Sequence, residues 1–178
     1  MSQDGSLSAG RFSRWLEGME RALRAEAASE VPCGECTACC TSSQFVHIDA
    51  DETETLARIP NALVFPAPRS TDGTVVLGYD QHGKCPMLID DACSIYPHRP
   101  RACRTYDCRV FVATGIDLEE DNQSAIAARA RRWRFDVVDD TDRVAYDALR
   151  AAATLVRDRR DLTSTQRAVF AVRQYGKR

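Results

Sequence analysis

All eight cysteines of this 178-residue chain lie between Cys33 and Cys108, and none falls outside that window. A chain of this length can bury roughly 70% of its unfolded surface, so it does not need cross-links to hold a core together. The opening residues lack a basic start followed by an apolar run, and no stretch approaches the roughly 18 consecutive apolar residues of a membrane span. The expected setting is therefore the cytoplasm, without membrane association. Thiols stay reduced there, and clustered cysteines read as metal ligands or redox groups rather than as a disulfide framework.

The first group is Cys33-Gly-Glu-Cys36-Thr-Ala-Cys39-Cys40, and the second comprises Cys85, Cys93, Cys103 and Cys108. A C-x2-C step lets the chain turn back so that two thiolates meet one metal while backbone N–H groups face the sulfurs, and Gly34 suits that turn. Two such steps in series offer three ligands, as at the opening of a bacterial ferredoxin run, and zinc accepts the same spacing. Cys39 and Cys40 are adjacent, and in extended backbone adjacent side chains point apart, so Cys40 is expected to reach a second site or to pack beneath the first. Two four-cysteine sites account for all eight thiols, with one occupied site plus catalytic or resolving thiols as the alternative. Spacing alone does not choose how the eight divide.

Outside the cysteines the periodicity is helical. Phe12, Trp15, Leu16, Met19 and Leu23 recur at three- and four-residue steps, predicting an amphipathic helix over 6–30 that Pro32 closes. Phe45–Ile48 reads as a short extended piece, and Asp49 with Glu52 as a capping-box start for a helix to about Arg58. Pro60, Pro66 and Pro68 predict a loop. Thr74–Tyr79 has the content of a strand, Asp80–Gly83 supplies a turn, and Lys84–Ile89 would return as its partner, with Pro86 restricting it to an edge. The last third, 118–175, is predicted helical. Ile126, Ala130 and Trp133 form one stripe, and Val144, Ala148, Ala152 and Leu155 form another after the Asp139–Asp142 start signal. Thr163 with Gln166 is a capping box for the final helix. The expected fold is α+β and mainly helical, a single domain over 1–178. Its cysteine core, 33–108, is an irregular hairpin and loop region between N- and C-terminal helices.

The charged residues divide unevenly, with a net −8 over 1–128 and +6 over 129–178. Basic and acidic residues interleave along the C-terminal segment as on solvated helix faces, and no aromatic platform accompanies them, so nucleic-acid binding is not expected. Lys84, Arg99, Arg101, Arg104 and Arg109 flank the second cysteine group, where they could neutralise a negatively charged thiolate centre or hold an anion. Of the three histidines, His98, between Cys93 and Cys103, is the one that could substitute as a ligand, while His47 and His82 read as structural or exposed. Tyr96 and Tyr106 could pack over the site and exclude water. The carboxylate pairs Asp90-Asp91 and Asp139-Asp140 are explained by a turn and a helix start.

These residues resemble the YkgJ-type, or CxxCxxCC, family of zinc- or iron-chelating cysteine-cluster proteins. The matching parts are Cys33-x2-Cys36-x2-Cys39-Cys40, Cys85-Pro-Met-Leu88, Cys93-x-Ile-Tyr96, Arg99-Pro100 and Cys103-Arg104-x-Tyr106-x-Cys108. The resemblance implies metal chelation by the eight cysteines. A similar cysteine pattern occurs in flagellin lysine N-methylases, which raises protein modification as a reading. The chain, however, has no Gly-rich strand-to-helix turn for a nucleotide-like cofactor and no C-x3-C-x2-C opening of radical enzymes.

The leading expectation is a metal-binding protein holding an iron–sulfur cluster, of the [4Fe–4S] kind, or zinc, with a redox or metal-handling role. An enzyme or accessory subunit of a protein-modification reaction is the second reading, and a zinc-shaped module for a protein partner is the third. No nucleophile–histidine–acid constellation can be assembled, so the sequence assigns no catalytic residue and does not decide whether the protein is an enzyme.

Overall fold

The computed structural model describes residues 5–29, 31, 33–68, 70–118 and 124–177. In chain order the elements are β1 (Leu7–Arg11), α1 (Phe12–Leu23), β2 (Val46–Ile48), α2 (Thr53–Leu56), β3 (Val64–Pro66), β4 (Val75–Leu77), β5 (Leu88–Ile89), β6 (Ala92–Cys93), α3 (Arg101–Thr105), α4 (Arg109–Thr114), α5 (Ser124–Ala130), β7 (Trp133–Asp136), α6 (Asp140–Thr154) and α7 (Ser164–Tyr175). This is an α+β fold, mainly helical. Its contacts resolve into two compact units, residues 31–106 and residues 1–30 together with 107–178.

In the helical unit, β1 pairs in parallel with β7, Leu7 opposite Trp133 and Arg11 opposite Asp136. Helices α1, α4, α6 and α7 pack together, with α4 also against β7. Phe12 meets Phe135 and Tyr146 edge-on at 5.2 and 5.1 Å, and Trp15 lies 4.8 Å from Phe135, so aromatic burial anchors the strand pair to the helices. The buried pair Asp107–Arg109 (2.7 Å) ties further parts together. Trp15 Nε1 and Ser29 Oγ donate to the Asp107 carboxylate, and Arg109 Nη1 donates to the carbonyl of Ala9.

Several expectations are corrected here. The predicted helix over 6–30 is a strand to Arg11 and a helix only from Phe12 to Leu23. That helix ends in a Schellman arrangement: Ala25 sits at φ +59°, its N–H donates to Ala22 O, and Glu26 N–H donates to Arg21 O. Pro32 lies outside the described residues. Trp133 belongs to β7 rather than to the helix of Ile126 and Ala130, because Trp133-Arg134-Phe135-Asp136 alternates apolar and polar at the period of a strand. The predicted helical stretch from Leu118 runs into 119–123, outside the described residues, and α5 begins at Ser124. The stripe assigned to α6 holds only at Ala152: Val144 and Leu155 are 68% and 76% exposed, and the buried face is Ala145, Leu149, Ala152 and Ala153. The helix starts agree with expectation: the Asp139 carboxylate accepts from Asp142 N–H, and Thr163 with Gln166 forms the complete capping box.

In the 31–106 unit, β4 is the central strand of a three-stranded antiparallel sheet, between β2 and β3. The expected extended piece at Phe45–Ile48 is β2. The stretch with Pro66 is a strand and not only a loop, and Pro66 is accommodated because β3 is an edge. Lys84–Ile89 does not return against β4, whose two sides β2 and β3 already occupy; Leu88–Ile89 pairs instead with Ala92–Cys93. Asp90 and Asp91, at φ +49° and +57°, form the two-residue turn of that hairpin, the double left-handed conformation that matches strand twist. Ile48, Ile59, Leu77, Met87 and Ile95 make the buried core, with Cys85 and Cys93 packed against it.

Candidate metal centre

Each cysteine stretch is set by a local turn. Cys36 N–H donates to Cys33 O (3.0 Å), with Gly34 at φ +55°, so the first C-x2-C step is the reverse turn its spacing predicts. Cys39 and Cys40 are not in extended backbone but in a 3-10 turn, Ala38–Thr41, closed by Ser42 Oγ on Ala38 O (2.6 Å). Three residues per turn still separate neighbouring side chains by about 120°, and Cys39 is exposed where Cys40 is half-buried.

The second group is registered on the first through the backbone: Cys85 N–H donates to Cys40 O at 2.7 Å. Cys85-Pro86-Met87-Leu88 is a tight turn in which Leu88 N–H donates to Cys85 O (2.9 Å), and Pro86 occupies the position that lacks a required donor. The backbone N–H groups of Met87 and Leu88 also bond the Cys85 sulfur and favour its anion. Cys93 lies opposite Leu88 across the hairpin, and Ser94 fastens it by donating from both N–H and Oγ to Met87 O (2.9 and 3.0 Å).

Cys103 rides on α3, which packs against β2. Glu52, a buried carboxylate, holds the start of that helix by accepting from Arg101 N–H, and its other oxygen accepts from Asp49 N–H (3.1 Å). The Arg101 guanidinium bridges Asp49 and Asp51 at 2.9 Å each, and Arg104 lies 3.7 Å from Glu52. Sequence reasoning took Glu52 only as a helix-capping residue; its second bond, to α3, carries no local sequence signal.

Cys108 belongs to the helical unit, where it is buried and accepts from the Trp133 indole N–H at 3.2 Å. The Arg129 guanidinium lies over the same indole, 5.0 Å from its centroid.

The expected counter-charges are mostly committed elsewhere. Arg101 and Arg104 serve the carboxylates of the β2–α2 corner and Arg109 serves Asp107, whereas Arg99 acts electrostatically on Cys103. Arg99 also lies over the Tyr96 ring at 4.1 Å and donates to Tyr96 O, and Tyr96 is exposed rather than folded over the thiols. His98 Nδ1 is 3.5 Å from Glu54, and His47 and His82 are exposed.

The thiols feel one another. Burial first, and then Cys85, Cys93, Cys36 and Cys33, pushes Cys40 up to about 11. Burial first, and then Cys40, Cys85 and Cys93, pushes Cys103 up to about 12, with Arg99 opposing, even though the residue as a whole is exposed. Burial also raises Cys85, against the two backbone N–H groups. Among the described residues no three His, Cys, Asp or Glu side chains are placed so as to hold an ion. In its chemistry the donor set, thiols from four separate stretches of chain, suits a soft or borderline metal.

A family model, CxxCxxCC, with the description "Putative zinc- or iron-chelating domain", matches residues 32–130, and the chain belongs to this family. The match takes in all eight cysteines and continues through α4 and α5. No curated protein and no solved structure matches the chain.

Proposed function

We propose that the protein binds its metal through cysteine thiolates of the 31–106 unit, as an iron–sulfur cluster of the [4Fe–4S] kind or as zinc, and works in redox chemistry or metal handling in the cytoplasm. The observation that carries this reading is the backbone registration of the two cysteine groups, Cys85 N–H on Cys40 O at 2.7 Å, with Cys85 and Cys93 packed on the same buried cluster, within a chain whose family match takes in all eight cysteines. Burial and neighbouring thiols push Cys40 and Cys103 up, so a metal displaces their protons on binding, and binding energy becomes folding energy. Bound iron–sulfur would supply one-electron chemistry, and bound zinc would supply a closed structural cross-link.

Anaerobic purification followed by assay of metal, acid-labile sulfide and the visible spectrum tests this. About four iron and four sulfide per chain with broad visible absorption establishes the cluster, and colourless zinc establishes the structural ion. Protein that takes up neither overturns the reading. Cys36→Ser is expected to lower metal content and melting temperature, and unchanged values would remove the first C-x2-C turn from the ligand set.

A zinc-shaped interaction surface is the second reading, favoured by Phe45, Phe65 and Tyr79. All three are exposed, with ring centroids 6.2 Å (Phe45–Phe65) and 4.9 Å (Phe45–Tyr79) apart. Zinc without sulfide would favour it.

A further inference from the structure

We propose that the cavity between α1, α6 and the C-terminal end of α7 binds an aliphatic diamine, one ammonium at Glu17 and Glu20, the other at Asp140, and the methylene chain along Leu16 and Val144. The site lies within the helical unit and does not depend on the chelation reading above.

The three helices enclose a cavity of about 470 Å³, a size that holds a small organic ligand. Helix α1 lines it with Ser13, Leu16, Glu17 and Glu20, whose three- and four-residue steps place them on one side of the helix. Ser13 N–H donates to the Asp142 carboxylate (3.0 Å), so the starts of α1 and α6 stand together, and Asp140 lines the cavity at that end. At the other end Glu20 meets the finish of α7. Tyr175 lines the cavity there, and a Cβ on Gly176 would stand 2.5 Å from Glu20 Oε1. From Ser13 to Glu20 the rise of the helix is about 10 Å. The wall between the ends is apolar, with Leu16 buried and Val144 left 68% exposed.

Cations that would answer these carboxylates are committed elsewhere. Among the described residues no ion pair includes Glu17, Glu20 or Asp140, while Arg11 serves Asp139 and Asp142, and Arg24 serves Glu26. Glu20 is half-buried at the carbonyl end of α7, where the helix dipole is negative. Burial raises its carboxyl above the ordinary 4.5, with Arg24 opposing and Glu17 adding to the rise. Folding gains nothing from a carboxylate placed there, and a bound ammonium relieves both the burial and the like charge. The chemistry of the occupant follows from the order of the walls. An inorganic cation would leave Val144 uncovered, and a single ammonium would leave one end unanswered. Two ammonium groups joined by an alkyl chain meet the carboxylates at both ends and cover the apolar middle.

The test titrates the full-length protein with octamethylenediamine at low salt, followed by heteronuclear NMR and calorimetry. Saturable binding is expected, with amide shifts centred on Glu17, Glu20, Val144 and Tyr175. Octylamine, which carries one ammonium, is expected to bind about tenfold more weakly. Glu20→Gln and Asp140→Asn should each weaken the diamine about tenfold and remove most of its advantage over octylamine, a ratio that a merely structural role would not move. Asp161→Asn, whose carboxylate pairs with Arg159 away from the cavity, should leave binding unchanged. No saturable binding by the wild-type protein overturns the site, and so does equal weakening by Asp161→Asn, the mark of general counterion attraction. Tighter binding of Nα-acetyl-lysine methylamide than of the diamine overturns the diamine as occupant. If either cavity variant does not fold, the wild-type comparison of diamine with octylamine decides alone, and equal affinities defeat the proposal.

Discussion

The carboxylate of Asp142 accepts from the backbone N–H groups of Ser13 and Val138, each at 3.0 Å, and from Arg11 Nε at 3.1 Å, while Arg11 also bonds Asp139. Burial opposes its ionisation, but these bonds more than offset burial and hold its pKa below the ordinary 3.8. A carboxylate depressed in the folded state contributes stability that is fully present above its unfolded value and is lost as pH falls through the folded one. Denaturant titrations are therefore expected to show wild-type stability falling as pH drops below about 3.8. Asp142→Asn should be less stable at neutral pH and flatter over that acid limb, and an unchanged limb would mean the carboxylate is not held this way. At this scale the sequence was largely readable. Asp139 and Asp142 stood at a helix-start signal, and the cysteines announced themselves by number and spacing. The burial of Glu52 and Asp107 was not readable, because partners that justify burying those carboxylates, Arg101 N–H for the first and Trp15 and Ser29 for the second, depend on chain segments meeting in three dimensions.

Among the elements, α6 separates what periodicity can say from what it cannot. Its existence and its start were plain from the Asp139 cap, but its apolar residues are mostly alanines, and a stripe drawn through Val144 and Leu155 fits the 3.6 period about as well as the stripe the structure buries. Leu149→Ala, at a fully buried position, is expected to cost about 2–5 kcal/mol in chemical denaturation, and Val144→Thr should stay within about 0.5 kcal/mol. Equal losses would return the core face to the sequence-derived stripe. The first strand was hidden for a related reason. Leu7–Arg11 is too short to show a period of its own, and it forms because Trp133–Asp136 offers a parallel edge to which its register is fixed. The hairpin of β5 and β6 likewise looked like half of a longer strand pair until the β3 edge was seen to claim β4.

At the level of the whole molecule, the 31–106 unit builds on small means: strands of two or three residues and a short list of buried apolar side chains. Units of this size are marginal without extra links. Metal removal by a chelator is therefore expected to raise amide hydrogen exchange across 33–105 while the helices of the other unit keep their protection, measured by mass spectrometry on the intact chain. Uniform loosening of both units, or none, would contradict a stabilising role for the metal within this unit. The helical character of the remainder and the insertion of the cysteine stretch between helices were both legible from periodicity, since long amphipathic segments flank a stretch that has none.

The parallel pairing of Leu7 with Trp133 also sets an order of events on the ribosome. Chains emerge from the N-terminus at about 5–20 residues per second, and domains fold as their sequence becomes complete. The first strand and helix come out early but have nothing to pair with until the strand near the far end has been made. Residues 31–106, which lie between them and hold seven of the eight cysteines, are finished well before that. Its thiols are thus exposed to the cell's metal and oxidant supply while the N-terminal segment is still waiting for its partner. Loading during synthesis would secure the thiols before the slow, long-range closure of the chain ends.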